Sequence, residues 1–457
     1  MNKPAGTPGI SGERNSAGGR LVITSSHDLQ ELRSLARRLF TTGVAAADPA
    51  LALTNAWRRE PPQGPSGNGR NIVIAFGKAA IAMLSRARDL LGHAGEITCI
   101  AVTNDENYRP VDSARVFAAG HPVPDERGVR AAQAVADTLR AATDGDVVIV
   151  LISGGGSALL PAPLPGLSLE DKSRTTDTLL RAGLDIGRMN AVRQHLSRLK
   201  GGGMARLARP APVFAYILSD VPGDHLGVVA SGPTAGQIMA REQVVEMLDR
   251  RNLLAALPRA ARDLLILPRD DHDSFASKTA SENDVNCVNA IIGGNGMSLT
   301  AIMDSVDEFP MEVAESDYSL DVGAAGRIML DHAVQLPSGA LRGLLFGGES
   351  HVRVRGNGLG GRNQELALRF AIGARERGLD GNWVFLSGGT DGRDGPTDSA
   401  GAVVDRYSLD RMMTMGIDPA QALAGNDSYP ALKASGDHLH IGGTGTNVAD
   451  IQVFLRA

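Results

Sequence analysis

The run Asp146-Val147-Val148-Ile149-Val150-Leu151-Ile152, followed by Ser153-Gly154-Gly155-Gly156-Ser157, decides the fold. An unbroken Val/Ile/Leu run closed by glycines predicts a strand buried on both faces, which is how strands of a parallel sheet between two helical layers read. The glycines then let several backbone N–H groups converge on one anion at a strand-to-helix turn, the arrangement of a phosphate cradle.

The same grammar recurs on either side. Asn71 to Phe76 is a second apolar run, ending in Gly77-Lys78 and followed by a helical pattern from Ala79 to Leu91. Ile97 to Thr103, Arg115 to Ala119 and Val213 to Leu218 are further strands, with helices over about 125–142 and 170–181. Strands alternating with helices predict an α/β chain with a parallel sheet. Upstream, Leu29, Leu32, Leu35, Ala36 and Leu39 have the spacing of one buried helical face. Downstream, Val288 to Ile292, Leu341 to Phe346, Val352 to Arg355, Trp383 to Leu386 and Leu439 to Ile441 read as strands. Helices are expected between them near 297–304, 321–334, 362–374 and 409–415. The polar stretch Arg269 to Asp284 divides the chain into a first domain over 27–284 and a second, smaller α/β domain over 285–457. Residues 1–26, rich in Gly, Pro and Ser without periodicity, read as a disordered leader.

Composition narrows the function. A net charge of −5 and no Lys/Arg block leave no basic field for nucleic acid. No apolar stretch reaches the roughly 18 residues of a membrane span, and the first 20 residues have no signal-peptide core, so the expected location is cytoplasmic. Cys99 and Cys287 sit in apolar strand-like runs and read as buried free thiols.

The chemistry should follow the strands. Besides Gly77-Lys78 and Ser153 to Ser157, strands run into Ser219-Asp220-Val221-Pro222-Gly223-Asp224, Gly347-Gly348-Glu349-Ser350, Gly388-Gly389-Thr390-Asp391-Gly392 and Gly442 to Asn447. In open α/β sheets ligands bind beyond the carboxyl ends of strands, so two such edges facing each other make an interdomain cleft. Lys78 is a point charge for a phosphate, and Lys200, before Gly201-Gly202-Gly203, is a second phosphate contact. Asp220 and Asp391 lie closest to strand ends, suited to hold Mg²⁺ or accept a hydroxyl proton. Arg362 opens a helix after a glycine-rich run, where a cation opposes the helix dipole, so an anionic ligand is expected beside it. His121 and His195 are candidate general bases, although a histidine bonded within its own loop is commoner. Walker A fails, because Ala79 follows Gly77-Lys78 and Ile72 stands where the first glycine belongs. The dinucleotide pattern read from Gly154 has Leu159 in place of its third glycine.

Taken together, Gly77 to Ala80, Gly120-His121-Pro122-Val123-Pro124-Asp125, Ser153 to Leu159, Asn190 to Gly203, Ser219 to Thr234, Gly347 to Ser350, Gly361 to Glu365 and Gly388 to Asp398 resemble the glycerate 2-kinase family with its MOFRL domain, over roughly residues 27 to 457. The resemblance implies a Rossmann-like first domain and an active site between the two domains. It also implies ATP-dependent phosphorylation of D-glycerate at its 2-hydroxyl with a divalent cation such as Mg²⁺. The family's important lysine and arginine fall on Lys78 and Arg362. Two rivals stand beside it: a hydroxypyruvate reductase using NAD(P)H, which the missing third glycine disfavours, and a ligand sensor without turnover. Whether the chain forms a homodimer stays open.

Overall fold

A computed structural model describes residues 28–92, 95–267 and 286–457, so the leader at 1–26 and the polar boundary at 269–284 lie outside the described residues. The first sheet contains β1 (Asn71–Phe76), β2 (Ile97–Asn104), β3 (Ala114–Ala119), β4 (Val147–Ile152), β5 (Val213–Leu218) and β6 (Cys287–Gly293). All neighbours run parallel, in the order β3-β2-β1-β4-β5-β6. Every residue of β1 and β4 is buried, as their uninterrupted apolar sequence requires. The chain winds outward from β1 to one side and then from β4 to the other. This leaves a crevice at the carboxyl ends of β1 and β4, where doubly wound sheets take their ligands.

The second sheet comprises β7 (Met311–Asp321), β8 (Arg342–His351), β9 (Trp383–Gly389), β10 (Gly401–Asp405), β11 (His438–Leu439) and β12 (Asp450–Arg456), ordered β11-β10-β9-β12-β8-β7. Only the β7–β8 pairing is parallel. β12 inserts antiparallel between β8 and β9, with Asp450 opposite Gly348 on one side and Gly389 on the other. The start of β12 therefore lies beside the ends of both strands.

Three expectations are corrected. The strand expected to open the second domain at 288–292 is β6, which pairs with β5 and completes the first sheet. A polar segment in the sequence marked a gap between elements there, not a change of sheet. No strand forms over 352–355, since β8 runs through Glu349 to His351 and the chain then leaves the sheet. The helix Leu29–Ala46, grouped by sequence with the first domain, buries Leu32, Leu35, Leu39 and Phe40 against Leu386, Ile451 and Val453 of the second sheet. Helical spacing names the buried face but not its partner. Among the described residues no helix is long and apolar enough to cross a membrane.

Candidate active site

Gly77 ends β1 with φ of +117°, a conformation that disfavours side chains, and a Cβ there would collide with Ser153. The two turns are thereby locked together. Lys78 N donates to Gly154 O at 2.9 Å, and Ala79 N donates to Ser153 Oγ at 3.0 Å. Ser153 is thus buried and engaged in holding the loop, leaving Gly155, Ser157 and Ala158 partly exposed on it. The Gly155 N–H is itself directed at Asp220, and a Cβ on Gly154 would collide with the same carboxylate. Gly156 packs on Phe76, so its missing side chain serves close helix–strand contact.

The other domain meets this edge. Lys78 Nζ reaches across to Asp391 Oδ2 at 2.8 Å, Asn447 Nδ2 donates to Asp220 Oδ2 at 3.4 Å, and Arg393 pairs with Glu106 at 2.8 Å. His121 sits over Gly155 and near Lys78. Burial, and after it the Lys78 charge, pull the His121 imidazole below its ordinary value, so it is neutral at physiological pH. His195 is buried elsewhere, with Nε2 2.8 Å from Met239 O in its surrounding loops.

Asp220 is pushed up to about 6, first by burial and then by the like charge of Glu349, with Lys78 opposing. A carboxylate so placed is more basic than an ordinary aspartate yet ionised at neutral pH. Asp391, in contrast, is matched by the Lys78 ammonium. The sequence pair Asp220 and Asp391 is therefore split: one acid has an acidic neighbour, the other a cationic one.

Arg362 departs from the reading that a helix start and a guanidinium jointly await an anion. The helix Arg362–Glu376 is already capped by Asp394, which accepts from Asn363 N at 3.1 Å and Gln364 N at 2.8 Å. Burial pushes the Asp394 carboxyl up to about 7 against those hydrogen bonds. The guanidinium is gripped by Asp450, Nε to Oδ2 at 2.6 Å and Nη2 to Oδ1 at 2.9 Å, with Nη1 2.7 Å from Glu349 Oε1. Burial alone would lower the Arg362 pKa, but Asp450 and Glu349 outweigh it and hold the guanidinium charged. A third of the side chain, 34%, still faces the cleft. Asp450, completely buried, escaped sequence reasoning. The signal available for it was an aspartate opening the mostly apolar run Ile451 to Leu455.

Lys200 lies behind the loop, buried, with Nζ 3.2 Å from Ser157 O and 3.3 Å from Ser231 Oγ. The described residues contain no group of three His, Cys, Asp or Glu able to hold a metal by themselves. Cys99 and Cys287 are both free thiols; Cys99 is buried as expected, whereas Cys287, at the start of the edge strand β6, is only partly so.

Comparison with known proteins identifies two family matches: residues 35–266 match a domain of unknown function, DUF4147, and residues 342–450 match the MOFRL family. The D-glycerate 2-kinase of Thermotoga maritima is 35% identical over 441 residues, spanning 94% of this chain and 99% of that protein. A putative hydroxypyruvate reductase of Agrobacterium vitis is 36% identical over 430 residues, 93% of this chain and 94% of that one. Among solved structures, the glycerate kinase of Thermotoga maritima superposes with a TM-score of 0.79 at 34% identity, covering 94% of this chain and all of that one, 100%.

Proposed function

The chain belongs to the glycerate 2-kinase family, and from that premise we propose that it transfers the γ-phosphoryl group of ATP to the 2-hydroxyl of D-glycerate, giving 2-phosphoglycerate and ADP. The observation that carries the reading is the meeting of Lys78, Asp220 and the Asp450-gripped Arg362 where the two sheet edges face each other. Phosphoryl transfer asks a protein chiefly for positioning and for charge placed where the transition state needs it. Asp220 accepts the 2-hydroxyl proton as that oxygen attacks phosphorus and the bond to the ADP oxygen breaks. Lys78, turning from Asp391 to the transferring group, offsets its negative charge. Arg362, too firmly held by two acids to follow a moving group, positions the glycerate carboxylate. Ser153 to Gly156 shape the loop, Ser157 on it meets the nucleotide phosphates, and Lys200 adds positive charge from behind it.

Magnesium generally takes one or two protein carboxylates beside phosphate oxygens and water. That donor set fits here, because Asp391 becomes a free carboxylate once Lys78 turns away. Asp391 would hold the ion, Asp220, which also has Lys78 as a neighbour, would assist, and the ion would neutralise charge on the phosphate oxygens. Nothing in the loop answers a pyrophosphate of NAD(P)H: Gly155 N–H is spent on Asp220 and the third glycine is Leu159.

The test is ADP release from purified protein with D-glycerate, ATP and Mg²⁺, the product located by phosphorus NMR, beside a control with hydroxypyruvate and NADH. Phosphate on the 2-hydroxyl is expected. Phosphate on the 3-hydroxyl would overturn the regiochemistry, and NADH consumption without ADP would replace the kinase by a reductase.

A further inference from the structure

Two buried lysines and a half-buried arginine gather behind the glycine loop. Lys172 comes from the helix Leu169–Arg181, Arg193 from the helix Ile186–His195, and Lys200 from the turn that follows. Lys200 Nζ and Arg193 Nη2 both donate to Ser157 O, at 3.2 and 3.5 Å. Arg193 Nη1 donates to Asn190 Oδ1 at 3.0 Å, and the same oxygen accepts from Ser231 Oγ, which stands 3.3 Å from Lys200 Nζ. Lys172 is only 6% exposed, and its Nζ has no hydrogen-bond partner among the described residues. Arg193 Nε is likewise buried and without one.

No carboxylate pairs with any of the three among the described residues, and each of the two lysines is repelled by Arg193. Burial first, then that repulsion, bring Lys172 down to about 7 and hold Lys200 well below its ordinary value. Other buried charges in the protein are matched: Asp450 meets Arg362, and Asp405 and Asp437 meet Arg33 and Arg411, while Asp394 is met by backbone N–H groups. An unmatched buried cluster is costly, and the cost falls away when an anion enters. Gly155, Ser157, Ala158 and Arg193, on the loop side of the cluster, are partly exposed.

We infer that Lys172, Arg193 and Lys200 form an anion subsite for the phosphate groups that stay with the nucleoside diphosphate. The inference rests on the ATP reading above and divides the phosphates between two places: Lys78 in the cleft serves the transferring group, and this cluster grips the leaving nucleotide. Lys172, remote from the facing domain's acids, then sets nucleotide affinity and not the chemical step.

The test uses full-length protein and Lys172→Met, which removes the charge while keeping the length of the side chain, with Arg193→Met as the second variant. ADP and inorganic tripolyphosphate binding are measured by calorimetry, alongside KM for each substrate, kcat and the melting temperature without ligand. Expected for Lys172→Met are at least a tenfold loss of ADP and tripolyphosphate affinity and a raised KM for ATP. Its kcat, its KM for D-glycerate and its unliganded melting temperature should be preserved, the last even raised. Unchanged ADP affinity in both variants overturns the subsite while wild-type turnover leaves the kinase standing. Wild-type binding of tripolyphosphate that Lys172→Met loses supports the subsite even where ATP proves not to be the donor. A lower unliganded melting temperature with affinity intact overturns it in favour of a structural lysine.

Discussion

Replacing Asp450 by Asn tests whether Arg362 owes its placement to the acid beneath it. The carboxylate is completely buried and makes both short bonds to the guanidinium, at 2.6 and 2.9 Å. An amide keeps one acceptor, turns a donor toward the guanidinium and removes the charge. Removing one partner of a buried ion pair costs about 3–5 kcal/mol. Here the abandoned arginine is 34% exposed and still has Glu349 at 2.7 Å, so the cost is discounted below that range and roughly 2–3 kcal/mol is expected. At the roughly 2–4 °C per kcal/mol of a unit of 150–250 residues, that is a fall of about 4–12 °C in melting temperature. A guanidinium displaced by about an ångström should also cost on the order of 100-fold in kcat/KM, expressed chiefly through D-glycerate. Scanning calorimetry and an ADP-release assay read the two effects. An Asp450→Asn protein melting within about one degree of wild type, with unchanged kinetics, would refute the argument that buried charge pairing holds Arg362.

Lys78→Met should fold normally, because Asp391, its one ion-pair partner among the described residues, is partly exposed to water, yet lose on the order of 10²–10³ in kcat; a variant that kept its turnover would remove the lysine from the chemistry. Asp220 must be ionised to accept a proton, so kcat/KM should fall as pH drops through about 6 and be flat above it. Since Glu349 helps raise that pKa, Glu349→Gln should move the acid limb to lower pH, and a midpoint that stayed or rose in a pH series would count against Asp220 as the base. The same raised pKa means that the folded protein binds this proton more tightly than the unfolded chain; the stability it contributes is complete below about 4 and is lost as pH rises through about 6, which acid-range melting curves of wild type and Asp220→Asn can compare. Gly154→Ala would drive a methyl into Asp220 and to 2.6 Å from Asn447 Nδ2, so it should depress kcat/KM with little change in secondary structure by circular dichroism; full activity would show that the domains do not meet tightly there.

The first sheet was legible because parallel strands buried on both faces leave an unmistakable trace, as β1 and β4 do. Lys78, Ser153 and Asp220 were legible for a related reason: each follows such a run directly. The second sheet left weaker traces. β7 is an edge strand of eleven residues, Met311–Asp321, with charged side chains along it, and periodicity alone does not separate it from a loop. β12 is buried throughout, but its significance lies in pairing with β8 and β9, contacts that no local window contains. Asp450 was missed on that account, and with it the reason why Arg362 stands at a helix start: the helix dipole is answered by Asp394, and the guanidinium by an acid far along the chain. The lysines behind the loop were half visible, since glycines after Lys200 attract attention, whereas Lys172 sits inside an ordinary amphipathic helix. Its lack of a counter-charge is a property of three dimensions.

The helix Leu29–Ala46 and strand β6 make the two halves interlaced in sequence. The helix belongs by its packing to the second sheet although it precedes the first, and β6 closes the first sheet although it follows the segment between 267 and 286. A single cut in that segment would give two pieces, each lacking a part that the other carries. Neither piece would carry a complete sheet with its own covering helix, so the cleft between the sheets is a property of the whole chain.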